Sequence, residues 1–184
     1  MSGGYLVLLW VLCGVVFVTD WLFRRVPNRL LLVVLAAYVV LRVADWAGLP
    51  AGTAIDLQSS LVGGVLAFVF LLPFYAFRAM GAGDVKYFAV LGLLMGPAGV
   101  LVVWLAGTAL TGVHAVMQWI YASEAVPALA NLGRVAGSWM DGGGGRLQRL
   151  ATWIHDKRQG RRGIPYAAYM AIAAVAQPWI SARL

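Results

Sequence analysis

From Tyr5 to Leu22 the chain runs through eighteen residues with one charge among them, Asp20. Apolar runs of about 16–22 residues recur along the sequence, the length of helix that crosses ~30 Å of hydrocarbon. Barrel strands would instead alternate polar and apolar residues over ~10 positions. The chain is therefore expected to be an all-α integral membrane protein. Composition closes off the soluble alternative. At 62% hydrophobic, 11% charged and a mean hydropathy of +0.83, 184 residues cannot hide their apolar surface inside one water-soluble domain, since such domains average ~45–50% apolar and ~25% charged.

Six helices are predicted, at about Tyr5–Leu22, Leu30–Trp46, Leu61–Phe77, Val85–Met95, Val100–Ile120 and Ile164–Ile180. Together they form a single membrane-embedded domain over residues 1–184. The first run has no basic residue before it, so it reads as a retained helix rather than a signal peptide. Pro27 restarts the chain after the first helix, and Asn28 is placed to cap the second. Gly48 to Ser60 reads as a polar turn, and Gly63-Gly64 as a site of close helix packing. The fourth helix would be only ~16 Å long, which suggests that the turn before it already lies within membrane depth. Between the fifth and sixth helices, Tyr121 to Gly163 reads as two interfacial amphipathic helices around the glycine run 142–145.

The net charge of +7 is not spread as nucleic-acid binding would require. With six spans, the segments after the first, third and fifth helices share one side and hold twelve of the fourteen basic residues; only Arg42 and Arg183 fall opposite. By the positive-inside rule that side is cytoplasmic. Both termini are then outside, and residues 121–163 form a basic cytoplasmic loop suited to anionic lipid.

Asp20 and Asp84 both fall at the cytoplasmic ends of their helices under this topology. A carboxylate at membrane depth costs ~2.5–3.5 kcal/mol on insertion scales and usually marks function. Two glycines, Gly81 and Gly83, precede Asp84 and permit a tight turn. If the first and fourth helices pack together, the two carboxylates meet. So close a pair cannot both ionise readily and shares one proton. One can then deprotonate water while the other polarises a peptide carbonyl. This chemistry requires no cofactor and no metal. Cys13 is the only cysteine, which excludes an intrachain disulfide and a cysteine zinc site. His114 and His155 have no evident nucleophile or ligand partner and read as structural.

Asp20, followed after six residues by Pro27-Asn28, together with Gly81-Ala82-Gly83-Asp84, resembles the two active-site motifs of the type IV prepilin peptidases, which are Gly-x-Gly-Asp aspartic proteases. Ile164-Pro165-Tyr166 is similar to that family's Pro-Tyr near the last helix. The resemblance implies Asp20 and Asp84 as the catalytic pair and Gly81 and Gly83 as the turn that positions Asp84. Arg24, Pro27, Asn28 and Lys86 are supporting residues; Arg24, one turn beyond Asp20, can pair with it, and Lys86 can reach the headgroups. The implied substrate is a pilin precursor with a basic leader and an apolar helix, cleaved at the cytoplasmic face of a bacterial inner membrane. The large members' cytoplasmic insertion with paired cysteines is missing, so the chain resembles the short tight-adherence (Flp-type) form, for which leader cleavage without methyl transfer is expected. A small proton-coupled transporter with the two acids as a relay is the alternative.

Overall fold

A computed structural model describes residues 3–49, 55–122 and 165–181 of the chain. Every regular element among them is a helix: α1 Gly3–Phe23, α2 Asn28–Trp46, α3 Leu57–Ala76, α4 Ala82–Ala122 and α5 Tyr166–Ser181. Within hydrocarbon a helix satisfies its own backbone, so long apolar runs have few other choices. Three stretches are long and apolar enough to cross a membrane, Tyr5–Phe23, Leu57–Ala76 and Ala82–Ile120, with Tyr166–Gln177 a shorter apolar helix.

Helix α4 contains the fifth and fourth predicted segments joined end to end. Its apolar span of 39 residues from Ala82 to Ile120 would reach ~58 Å if straight, nearly twice the hydrocarbon thickness. It does not stay straight. Gly96, at φ 71° and ψ 179°, takes a backbone conformation open in practice to glycine, and Pro97 follows it. Phe88 and Trp104, each eight residues from Gly96, line one cavity, and Asp84 and Thr108, each twelve residues away, line another. The two arms, 82–95 and 97–122, therefore fold back beside each other.

Helix α3 lies across this hairpin at glycines. A Cβ on Gly63 would overlap the Gly92 carbonyl and the Gly96 backbone, and one on Gly64 would strike Leu93. The expected close packing at Gly63-Gly64 is thus present, with Gly92 as its counterpart. α3 begins earlier than predicted, at Leu57. The Asp56 carboxylate caps it by accepting the Ser59 N–H at 3.0 Å, so part of the presumed polar turn is the helix's first turn. That N–H, helped by the Ser59 hydroxyl, holds the exposed Asp56 carboxyl below its usual range.

The cap expected from Asn28 is not made. Pro27 occupies the N-cap position of α2 without a side-chain hydrogen bond, and its carbonyl accepts the N–H groups of Leu30 and Leu31; Asn28 is already helical. At the end of α1, Arg24 adopts φ 54° and returns its N–H to the Asp20 carbonyl at 2.9 Å.

The core is a seam on α1 at helical spacing, Tyr5, Leu9, Leu12, Cys13 and Val16, set against Ala167, Met170, Ala171 and Ala174 of α5. α5 also packs along α4. Large apolar side chains on the outer faces, Val65, Val69, Val33 and Val40 among them, stay exposed, as suits surfaces turned to lipid rather than water. The predicted amphipathic loop lies outside the described residues, apart from Tyr121 and Ala122, which close α4.

Candidate active site

Asp20 sits one turn before the end of α1, only 5% exposed. A carboxylate this deep needs donors. They come from the first turn of α5, where the Ala168 N–H donates to Asp20 Oδ2 at 3.0 Å and the Ala167 N–H adds a second interaction. The first N–H groups of a helix have no partner within it, and the helix dipole there favours negative charge. Pro165, with no N–H of its own, stands just before that turn. The Arg24 charge also acts at Asp20.

Asp84 is the third residue of α4, and its Oδ2 reaches back to accept the Gly81 N–H at 3.3 Å. This is the carboxylate half of a capping box, which turns the side chain over the helix start. Gly81 gives that side chain room, because a Cβ there would lie 3.2 Å from Asp84 Oδ2, tighter than an ordinary contact. The second glycine serves a different contact. A Cβ on Gly83 would lie 3.3 Å from the Val26 Cβ, so Gly83 lets the start of α4 close onto the α1–α2 connection.

That connection carries the rest of the first motif, and a second tie holds it. Lys86 Nζ donates to Asn28 Oδ1 at 3.4 Å. Lys86 and Asn28, both expected as supporting residues, thus support each other. Pro27 contributes by starting α2 where Asn28 can be reached. Asp20 and Asp84 are brought close enough for the charge on one to act on the other. The expected direct packing of the first and fourth helices is slight. α5 lies against both, and Cys13 with Tyr87 makes a side-chain contact across at 3.5 Å.

Asp84 opens onto a cavity of about 630 Å³ lined also by Met80, Gly81, Trp104, Thr108, Thr111 and Tyr166. What sequence reasoning missed comes from α5: the Ala167 and Ala168 N–H groups at Asp20. Tyr166, read there only as part of a Pro-Tyr resemblance, stands in the cavity wall. A proline opening an apolar run marks a helix start, but nothing in it says which carboxylate that start will face. His114 accepts or donates one hydrogen bond, at 2.7 Å to the Tyr169 hydroxyl of α5, and so ties α4 to α5. Among the described residues no group of three or more His, Cys, Asp or Glu side chains is placed to hold a metal ion.

The arrangement presents two carboxylates of unequal setting at one end of a helical bundle. One is held by backbone donors and the other faces a cavity, which suits acid–base attack of water on a carbonyl. In comparison with known families, residues 6–116, more than half of the chain and including both acids, match the model of the type IV leader peptidase family. No curated protein and no solved structure matches the chain.

Proposed function

Because the chain belongs to the type IV leader peptidase family, we propose that it is a membrane aspartic endopeptidase removing the basic leader of type IV, Flp-like pilin precursors. Family membership makes it a protease, and its apolar helices make it an integral membrane protein. The observation that carries the aspartic mechanism is the convergence of Asp20 and Asp84 from distant parts of the chain, with Gly81 and Gly83 each leaving room for one specific neighbour.

The unequal settings divide the work. Asp20, served by N–H donors at the start of α5, is suited to be the ionised partner and takes a proton from water. Asp84, facing the cavity, holds the shared proton and passes it to the scissile carbonyl oxygen. Collapse of the tetrahedral intermediate breaks the C–N bond: the departing amine takes the proton that Asp20 drew from water, and a hydroxyl of the intermediate returns its proton to Asp84 as the C=O reforms. No cofactor or metal has a part in this sequence.

Six spans in a bacterial inner membrane, both termini outside and the site at the cytoplasmic face, fit the distribution of charge. Arg24, Arg25, Arg29, Arg78 and Lys86 fall in or beside the α1–α2 and α3–α4 connections, next to the acids in sequence, and Arg42 lies toward the opposite end of α2. The leader of a precursor would remain in the cytoplasm while its apolar helix enters the bilayer, bringing the scissile bond to the level of the acids. The basic segment 121–163 is assigned to anionic lipid. Methyl transfer to the new N-terminus is not expected.

The test is intact-mass analysis of a pilin precursor co-expressed with this chain as the sole peptidase. A product shortened by the leader, without added methyl mass, is the expected result. A full-length precursor would refute the peptidase reading, and a shortened product carrying a methyl group would refute only the last point. Reporters placed near Gly143 and after Ile180 should read as internal and external respectively; the reverse would put the acids on the wrong side of the membrane.

A further inference from the structure

The hydroxyls around the two acids are nearly all engaged. Thr108 donates to the Trp104 carbonyl at 2.6 Å and Thr111 to the Gly107 carbonyl at 2.8 Å, both within their own helix. Tyr169 is bonded to His114, and Tyr87 to Cys13. Tyr166 differs: its hydroxyl oxygen is buried and has no hydrogen-bond partner among the described residues. A buried hydroxyl left alone is costly, and the Tyr166 side chain lines the largely apolar cavity from which a partner could reach it.

Its position says where that partner would stand. Tyr166 is the first residue of α5, two before the Ala168 whose N–H holds Asp20. Its side chain lines the cavity with Asp84, close enough for the Asp84 charge to act on it. One helical turn therefore serves Asp20 through its backbone and faces Asp84 with its side chain.

We propose that Tyr166 is a further catalytic residue of the site, whose hydroxyl donates a hydrogen bond to the scissile carbonyl oxygen of the peptide bound beside Asp84. The inference rests on the peptidase reading and adds to it a residue outside the 6–116 match. Both carboxylates are acceptors when ionised, and the dyad holds one proton between them. As water attacks the carbonyl carbon, the C=O π pair moves to oxygen; that oxygen gains the Asp84 proton while Tyr166 steadies the developing charge. Tyr166 gives up no proton, so it ends each cycle as it began. A fixed donor aimed at developing charge acts mainly in the transition state.

Tyr166→Phe keeps the ring and removes only the hydroxyl. With purified full-length enzyme and a pilin precursor, this variant should lose about 10²-fold in kcat, with KM within about twofold of wild type. Unchanged kcat would overturn the proposal, as would a raised KM with kcat intact, which would make the hydroxyl a ground-state contact. If wild type itself leaves the precursor uncut, the peptidase reading falls and takes this inference with it. Wild-type cleavage matched by Tyr166→Phe removes the inference alone. Tyr38→Phe likewise removes a tyrosine hydroxyl, but one bonded to Ser60 between α2 and α3, away from the cavity, and should retain kcat per folded molecule within about twofold. An equal loss in both variants would mean that loss of any tyrosine hydroxyl suffices, and would also overturn the assignment.

Discussion

The helices carry polar clusters toward both ends, and the two clusters are built on opposite terms. At one, the buried Ser60 hydroxyl donates to the Leu93 carbonyl, the Tyr38 hydroxyl meets Ser60, and Arg42 Nε donates to Tyr38 at 2.9 Å while its guanidinium lies over that ring. These groups consume one another, and α2, α3 and α4 are pinned by the result. At the other, Asp20, Asp84 and Tyr166 are held in place by backbone donors and by packing, but none spends its chemistry on another side chain of the trio. A closed network serves stability, whereas an open one keeps functional groups available at an energetic cost met elsewhere.

Substitution should separate the two clusters. The largest effect belongs to the acids: Asp20→Asn and Asp84→Asn should each reduce precursor cleavage by ~10³-fold or more with membrane insertion unchanged. The double variant should be little worse than either single one, because the pair acts as a unit; processing retained in a single variant would remove the dyad. Next comes Gly81→Ala. Its Cβ would press on Asp84 Oδ2 from 3.2 Å, so kcat should fall ~10-fold while thermal stability in detergent barely moves. Loss of both together would mean that the glycine serves the fold rather than the carboxylate.

In the closed cluster the order of effects reverses. Ser60→Ala strands the Tyr38 hydroxyl and the Leu93 carbonyl and should cost ~1–3 kcal/mol of stability, read from a denaturation curve, with cleavage per folded molecule unchanged. The smallest effect is at Asp56. Its carboxyl titrates lower in the folded chain, so its cap contributes fully above the unfolded value near ~3.9 and is lost as pH falls through the folded one. Between pH 6 and 3 the melting temperature of Asp56→Asn should therefore fall slightly less than that of wild type, and identical slopes would show that the cap does not couple to folding.

Much of this was legible before any coordinates. Apolar length alone places α1, α3 and the two arms of α4, because membrane helices are dictated by a solvent that leaves the backbone no alternative. The two acids were legible because Gly81, Gly83 and the Pro27-Asn28 pair stand at set distances from them. What failed is instructive. Asn28 has the composition of a cap, but Pro27 takes that position and frees the Asn28 side chain for Lys86, 58 residues away. The donors to Asp20 are backbone groups 148 residues on, and a backbone N–H has no signature in a sequence. Tyr166 could be read as part of a motif, but the emptiness around its hydroxyl is a property of packing.

The start of α5 also sets a clock. Ribosomes deliver roughly 5–20 residues per second, so the stretch from Asp84 to Ala168 takes on the order of seconds to emerge. For the later part of that interval, once residue 122 has emerged, the glycine-packed hairpin and both acids can already be in the membrane, yet Asp20 lacks its N–H donors and Asp84 lacks Tyr166. A nascent chain therefore carries its two acids through synthesis in an unassembled state, and the enzyme becomes complete only on arrival of its final described helix.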